Sequence, residues 1–276
     1  MTAGIVGLGL MGGSLGLALR GVPEIDRILG HDHNPDHGEE ALKLGLVDEV
    51  VDWERLQQES DVIFLAVPVE GIIKALQNLT AIKPACTVID LGSTKAKIVE
   101  SIPPAIRKNV VAAHPMTGTE KFGPSAALPN LYRDKIVVLC DLEQSGELQR
   151  ETARALFRAI GMKIVTMDAR EHDRHAAYIS HLPHAISYAL ANAVMSQEDA
   201  KNIVILAAGG FRDMSRLAKS SPLMWEDVFK QNRDNLLEAM DCFEEELRVC
   251  RALVKGEKWE ELRDWMESAQ KLYDIL

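Results

Sequence analysis

His114 follows the apolar run Val110-Val111-Ala112-Ala113 and opens the segment His114-Pro115-Met116-Thr117-Gly118-Thr119-Glu120. A buried strand ending in His-Pro sets an imidazole at the strand's carboxyl edge, and ligands of open α/β sheets bind at that edge. Imidazole is the side chain best suited to move a proton near neutral pH. Near the amino terminus, Gly7-Leu8-Gly9-Leu10-Met11-Gly12 fits G-x-G-x-x-G. It follows the apolar Gly4–Val6 and opens a helical stretch, the context a dinucleotide-binding turn requires. A base at the mouth of such a site points to removal of an alcohol proton as hydride leaves for the cofactor.

Each glycine of the turn has a separate task. Gly7 permits the tight turn, Gly9 lets backbone approach a pyrophosphate, and Gly12 allows close helix–strand packing. The helix start, at Leu10 and Met11, offers free N–H groups and a positive dipole end to phosphates. Asp32 lies 20 residues after Gly12, where a carboxylate accepts ribose hydroxyls and repels a 2′-phosphate. NAD is therefore expected over NADP, although His31 and His33 flank Asp32 and could soften the preference. Val67-Pro68 ends another apolar run, because proline cannot extend a central strand; it is expected beneath the nicotinamide. Ser93, in Asp90-Leu91-Gly92-Ser93-Thr94-Lys95, is placed to meet the nicotinamide or a substrate hydroxyl, or to cap a helix.

The second half supplies candidates for the substrate side. His181 and His184, in Ser180-His181-Leu182-Pro183-His184, are three residues apart and share a helical face. Pro183 is expected to kink a helix over Glu171–Asn192 and free the carbonyl of Ile179. The two histidines could serve anion or carbonyl recognition, or be satisfied in the core. No carboxylate at helical spacing completes a metal site, so no metal is expected. His172 and His175 read as structural or exposed. Gly209-Gly210 is expected to break a helix. Beyond it, Arg216 could grip a carboxylate bidentately with Asp213 orienting it, or form a surface ion pair.

These residues need a scaffold, and its periodicity is legible. Apolar runs at Ala3–Val6, Arg27–His31, Val62–Val67, Thr87–Leu91, Val110–Ala113, Lys135–Cys140 and Lys163–Met167 read as strands. Helical stretches at Met11–Arg20, Pro35–Leu44, Val69–Leu79 and Gly146–Ile160 lie between them. This alternation predicts an α/β fold, a Rossmann-type, mostly parallel sheet. After Ala169 only helical patterns remain. The expected division is a dinucleotide-binding domain over 1–167 and an all-helical substrate-binding and dimerisation domain over 168–276. Leu236, Met240, Phe243, Leu247, Cys250 and Val254 form a heptad-like seam, either a subunit interface or ordinary bundle packing. Trp259, Leu262, Trp265, Met266, Ala269 and Leu272 continue an apolar face.

Composition narrows the partners. The 276 residues carry a net charge of −10 and no basic block, which argues against nucleic acid and anionic membranes. An anionic substrate must then be held by local cations. The uncharged first 19 residues lack a basic lead-in and are glycine-rich, so neither a signal peptide nor a span is expected. Four cysteines without C-x-x-C pairing suggest reduced thiols in the cytoplasm.

Taken together, Gly-Leu-Gly-Leu-Met-Gly-Gly-Ser (7–14), Asp-Leu-Gly-Ser-Thr-Lys (90–95), His-Pro-Met-Thr-Gly-Thr-Glu (114–120), Ser-His-Leu-Pro-His (180–184) and Gly-Phe-Arg-Asp-Met-Ser-Arg (210–216) make the chain resemble the prephenate/arogenate dehydrogenase family of tyrosine biosynthesis. The resemblance implies NAD-dependent oxidative decarboxylation of a cyclohexadienol, with prephenate favoured and 4-hydroxyphenylpyruvate as product. It implies His114 as base for the ring hydroxyl and Ser93 as the residue that orients both. It also implies Arg216 on a substrate carboxylate, His184 at the substrate side chain, Glu120 as a gating acid beside Thr119, and Trp225 as a pocket wall. A homodimer through the helical domain is implied as well. Thr117 and Phe122 fit the family loosely, which bears on pocket shape. With no fused mutase or regulatory domain expected, tyrosine inhibition would act at the active site. The alternatives are an arogenate dehydrogenase, a β-hydroxyacid dehydrogenase and a silent NAD-binding sensor.

Overall fold

Eight strands pair into one sheet in the computed structural model, which describes residues 1–275. They are β1 (Thr2–Val6), β2 (Arg27–His31), β3 (Glu49–Val50), β4 (Val62–Leu65), β5 (Thr87–Asp90), β6 (Val110–Pro115), β7 (Ile136–Cys140) and β8 (Lys163–Met167). The spatial order is β3-β2-β1-β4-β5-β6-β7-β8. All neighbours are parallel except β6 and β7. The order reverses at β1, the switch point where a crevice opens and ligands bind.

Six helices accompany the strands: α1 (Leu10–Leu19), α2 (Pro35–Lys43), α3 (Trp53–Glu59), α4 (Val69–Gln77), α5 (Ala96–Glu100) and α6 (Glu147–Ala159). Successive strand residues serve opposite faces, as the period of two dictates. Ala3, Ile5, Val62, Phe64, Ile89 and Val111 join Leu15 and Leu19 of α1 and Leu156 and Phe157 of α6 in one core. Val6, Ile63, Leu65, Val88 and Val110 join Leu56 of α3, Ile72 and Leu76 of α4 and Ile98 of α5 in the other. Interior parallel strands are buried on both sides, which is why Val62-Ile63-Phe64-Leu65 is unbroken apolar sequence. Each fully buried aliphatic side chain contributes about 1.5–3 kcal/mol.

Every expected strand forms, with ends shifted by a residue or two. β3, α3 and α5 were not foreseen; β3 has two residues, too few to show a period. β6 runs on to Pro115, beyond the expected Ala113. Its partner β5 stops opposite Ala112, so the proline faces no ladder on that side.

After β8 come α7 (Ala169–Ala176), a π-helical turn at Ala177–His181, α8 (Leu182–Met195), α9 (Ala200–Ile205), α10 (Gly209–Ser215) and α11 (Pro222–Gln231). The expected kinked helix over 171–192 is instead α7, the π turn and α8. Pro183 lies in the first turn of α8, where a missing N–H is tolerated. Gly209-Gly210 starts a helix rather than breaking one. By compactness, residues 1–232 form one unit and 233–276 a second.

The second unit holds α12 (Arg233–Lys255) and α13 (Trp259–Gln270), joined by a hydrogen bond from Trp265 Nε1 to Glu246 at 2.8 Å. Leu236 and Ala239 are buried, whereas Phe243, Leu247 and Val254 of the seam are 36%, 57% and 47% exposed. Among the described residues no helix is long and apolar enough to cross a membrane.

Candidate active site

The glycine turn joins β1 to α1. Gly7 has φ +89°, and a Cβ there would lie 2.6 Å from the carbonyl oxygen of Ala66. At Gly12 a Cβ would lie 1.8 Å from the carbonyl oxygen of Gly7, so helix and turn touch backbone to backbone. Gly9 differs: the nearest atom to its Cβ would be Gly123 N at 3.9 Å. A Cβ at Gly9 would make only an ordinary contact, at the positive end of α1 where a dinucleotide turn receives a pyrophosphate. Leu10 is buried and Met11 half-buried, its carbonyl held by Tyr132 Oη at 2.8 Å. Gly9→Ala should therefore leave the melting temperature within about 2 °C and weaken dinucleotide binding at least about tenfold. Thermal melts and calorimetric titration check both halves.

Four other strand ends converge on the same edge. Asp32 follows β2 and accepts from Leu8 N at 2.8 Å and Asn34 N at 2.9 Å. Val67 and Pro68 follow β4, and Pro68 caps α4. Ser93 follows β5 half-buried; the cap of α5 is Lys95, so the capping alternative for Ser93 is not realised. His114 ends β6.

His114 is held by residues that the sequence did not connect to it. Its Nδ1 lies 2.8 Å from Nε2 of His172. His172 Nδ1 lies 2.9 Å from Oδ1 of Asp173. The Asp173 carboxylate also accepts from Lys95 N at 2.7 Å and Ala96 N at 2.8 Å. A carboxylate is acceptor-only, so Asp173 accepts a hydrogen bond from Nδ1–H of His172. A His172 ring that donates from Nδ1 presents a lone pair at Nε2, which accepts from Nδ1–H of His114. These assignments leave the lone pair of His114 on Nε2, the atom a base uses. Burial, reinforced by His172, Lys95 and His181, pushes the pKa of His114 well below 6.5 and keeps it neutral. His172, expected to be structural or exposed, is 3% exposed and holds Nδ1 of His114.

Lys95 braces this arrangement from beneath. Its ammonium, fully buried, pairs with the fully buried Asp90 and donates to the carbonyl of Ala113 at 2.7 Å. Burial pushes the Asp90 carboxyl up, while Lys95 and the N–H groups of Gly92 and Ala113 pull it back. Side chain and backbone of one lysine thus fix the residue before His114 and the carboxylate behind it.

The substrate-side candidates gather around Trp225 of α11. The ring of His184 stacks on it with centroids 3.5 Å apart, and that of His181 meets it edge-on at 6.0 Å. His184 Nδ1 donates to the carbonyl of Ser180 at 2.8 Å, leaving Nε2 for a ligand. His181 is 1% exposed; its Nδ1 meets Asn232 Nδ2 at 3.1 Å, and the same amide donates to the carbonyl of Asp173 at 2.7 Å. Of the readings for His181, satisfied core histidine is the one realised. Trp225 is 6% exposed, and its Nε1–H is buried without a partner. Arg216 lies near enough to His184 to push its pKa down, secondary to burial. The carboxylate facing Arg216 is Glu120 at 3.9 Å, not Asp213. Asp213 sits one helical turn before it on α10, and the expected Asp213–Arg216 pair is not formed. Thr119 is exposed in the loop that carries Glu120.

Comparison with known proteins gives a consistent result. Residues 15–166 match the family described as "Prephenate dehydrogenase, nucleotide-binding domain", and residues 168–268 match "Prephenate dehydrogenase, dimerization domain". The prephenate dehydrogenase of Bacillus subtilis (strain 168) is 32% identical over 99% of this chain and 75% of the relative. A crystal structure of prephenate dehydrogenase from A. aeolicus, in complex with hydroxyphenyl propionate and NAD+, superposes with a TM-score of 0.92 at 32% identity, covering 100% of this chain and 98% of that one. Synechocystis arogenate dehydrogenase gives 0.82 at 30%, covering 100% and 99%.

Proposed function

The chain belongs to the prephenate dehydrogenase family, and on that premise we propose that it converts prephenate to 4-hydroxyphenylpyruvate by NAD-dependent oxidative decarboxylation. The observation that carries the reading is the run His114–His172–Asp173, which ends in a free lone pair at a dinucleotide edge. NAD, when bound, supplies the hydride acceptor. Gly7, Gly9, Leu10, Met11 and Gly12 hold its pyrophosphate side, Asp32 its ribose, and Val67, Pro68 and Ser93 its nicotinamide side.

His114 Nε2 takes the proton of the ring C4 hydroxyl as the C4–H bond gives up its electron pair as hydride. The ring carboxylate leaves as CO2, and the pair of its C–C bond closes the aromatic sextet and comes to rest on the phenolate oxygen. His114 returns the proton there, so the base is regenerated. While charged, it is stabilised through His172 by the Asp173 carboxylate. Arg216 holds a substrate carboxylate, released from Glu120 as the substrate enters. His184 Nε2 and the unpaired Nε1–H of Trp225 meet the substrate side chain.

NADH formation by purified protein, with prephenate or arogenate as substrate, tests the proposal. Turnover with prephenate supports it. Turnover with arogenate alone keeps the mechanism and moves the side-chain assignment; absence of both overturns the reading.

A pH profile offers a second test. The competent His114 is neutral, and its pKa lies below 6.5, so kcat/KM should hold its plateau through pH 6.5 and fall only at lower pH. Stability follows a related course. His181 is depressed to about 4 by burial, so the unfolded chain binds its proton first. Its contribution is present above 6.5 and is lost as pH falls from 6.5 towards about 4. Urea midpoints across that interval should decline with pH.

The functional division we propose is 1–167 for the dinucleotide and 168–276 for substrate and dimerisation. The exposed seam of Phe243, Leu247 and Val254 supports a homodimer through the helical part, checked by mass in solution. Four cysteines outside any disulfide among the described residues support a cytoplasmic setting.

A further inference from the structure

Three of the chain's eight histidines stand around Asp32, the carboxylate that reads the adenosine ribose. The structure sorts them. His31 turns away: its Nδ1 donates to the carbonyl of Val51 at 3.0 Å, and its ring packs against Trp53 with centroids 5.9 Å apart. His33 and His37 turn towards Asp32. His33 Nδ1 lies 3.3 Å from Oδ1, and His37 Nδ1 lies 3.7 Å from Oδ2. The Asp32 side chain is only 4% exposed, while that of His33 is 92% exposed and that of His37 36%.

A bare carboxylate at this corner excludes a 2′-phosphate by repulsion. Asp32 is not bare. Each of its oxygens already accepts a backbone N–H, from Leu8 and Asn34, and each has an imidazole beside it. The carboxylate is nearly buried, and the imidazoles that flank it are the more exposed groups of this corner. Imidazoles take up positive charge near neutral pH, and charge-assisted bonds to phosphate oxygens are the strong ones.

We propose that His33 and His37 form a 2′-phosphate subsite, so that the chain binds adenine dinucleotides carrying a 2′-phosphate as well as NAD. The inference rests on the reading of residues 7–12 as the dinucleotide turn. Its chemistry is local: the two imidazoles offset Asp32 and donate to the phosphate, and Asp32 keeps its place in the turn through Leu8 and Asn34. When NAD is the ligand, the same corner offers the remaining lone pairs of Asp32 to the ribose hydroxyls.

Calorimetric titration of the whole protein with NAD and with NADP, without substrate, tests this apart from turnover. NADP should bind within about tenfold of NAD. In the His33→Ala/His37→Ala variant the ratio should move against NADP by a further tenfold or more, as expected for loss of about one charge-assisted bond. Both side chains reach solvent, so the variant should fold, and its melting temperature checks that it does. Adenosine 2′,5′-bisphosphate against 5′-AMP repeats the comparison with probes that differ only in the 2′-phosphate. NADP binding about a hundredfold or more weaker than NAD, or a ratio unmoved by the double substitution, overturns the subsite and leaves the dinucleotide turn standing. Binding of neither dinucleotide overturns the dinucleotide turn itself.

Discussion

His114→Asn lowers kcat by about 10²–10⁴-fold, the range that removal of a general base produces. KM for prephenate should change little by comparison, because Arg216, His184 and Trp225, the residues proposed to hold the substrate, stay in place. Asparagine keeps a donor towards His172 Nε2 but supplies no basic lone pair in place of Nε2 of the imidazole. His172→Ala should cost less, since it removes orientation and charge support while leaving the base. The acid limb should also move, because His172 is among the groups that depress the pKa of His114. Steady-state kinetics across pH separate the two variants. A His114→Asn enzyme with normal kcat and a raised KM would falsify the catalytic assignment.

Lys95→Met destabilises the protein by about 3–5 kcal/mol, the cost of leaving one member of a buried ion pair without its partner. Asp90 is fully buried and loses its cation, so its carboxyl takes up a proton or stays charged at a large penalty. Lys95→Met/Asp90→Leu removes both charges and should recover much of the loss, since apolar replacement of a buried pair is often neutral or stabilising. Activity should not recover with stability in the double variant. The carbonyl of Ala113 has lost the donor that fixed the residue before His114. Denaturant melts and kcat measured on both variants decide this. Equal recovery of stability and rate would show the pair to be a packing device alone.

Much of the sheet was legible because interior parallel strands must be apolar on both faces. Val62–Leu65 and Val110–Ala113 could be little else. The glycine turn was legible for a related reason: backbone contacts such as Gly12 against Gly7 O exclude every side chain. His114, His184, Arg216 and Trp225 could be picked out by type and position. Their supports could not. His172 is 58 residues from His114, and no local pattern links a helix to a strand end. Lysine reads as a solvent-facing residue, and nothing nearby marks Lys95 as buried. The choice of Glu120 over Asp213 as partner for Arg216 is set by the course of a loop. His37 reads as an ordinary polar residue in the first turn of α2 until the fold carries it to Asp32.

The π turn at Ala177–His181 sets the angular phase of everything after it. A π turn is a helix with one residue too many, and one residue of an α-helix corresponds to about 100° of rotation. His184, Ser187 and Tyr188 are aimed by that surplus residue: the first at Trp225, the others at the backbone of Ala218 and Ser220. Loss of a single codon within 177–181 would let the segment relax into regular helix and swing α8 about a quarter turn. Every side chain of α8 would survive unchanged in the gene while pointing elsewhere in the protein. At this place a deletion would be read as a rotation, and counting conserved residues would not reveal it.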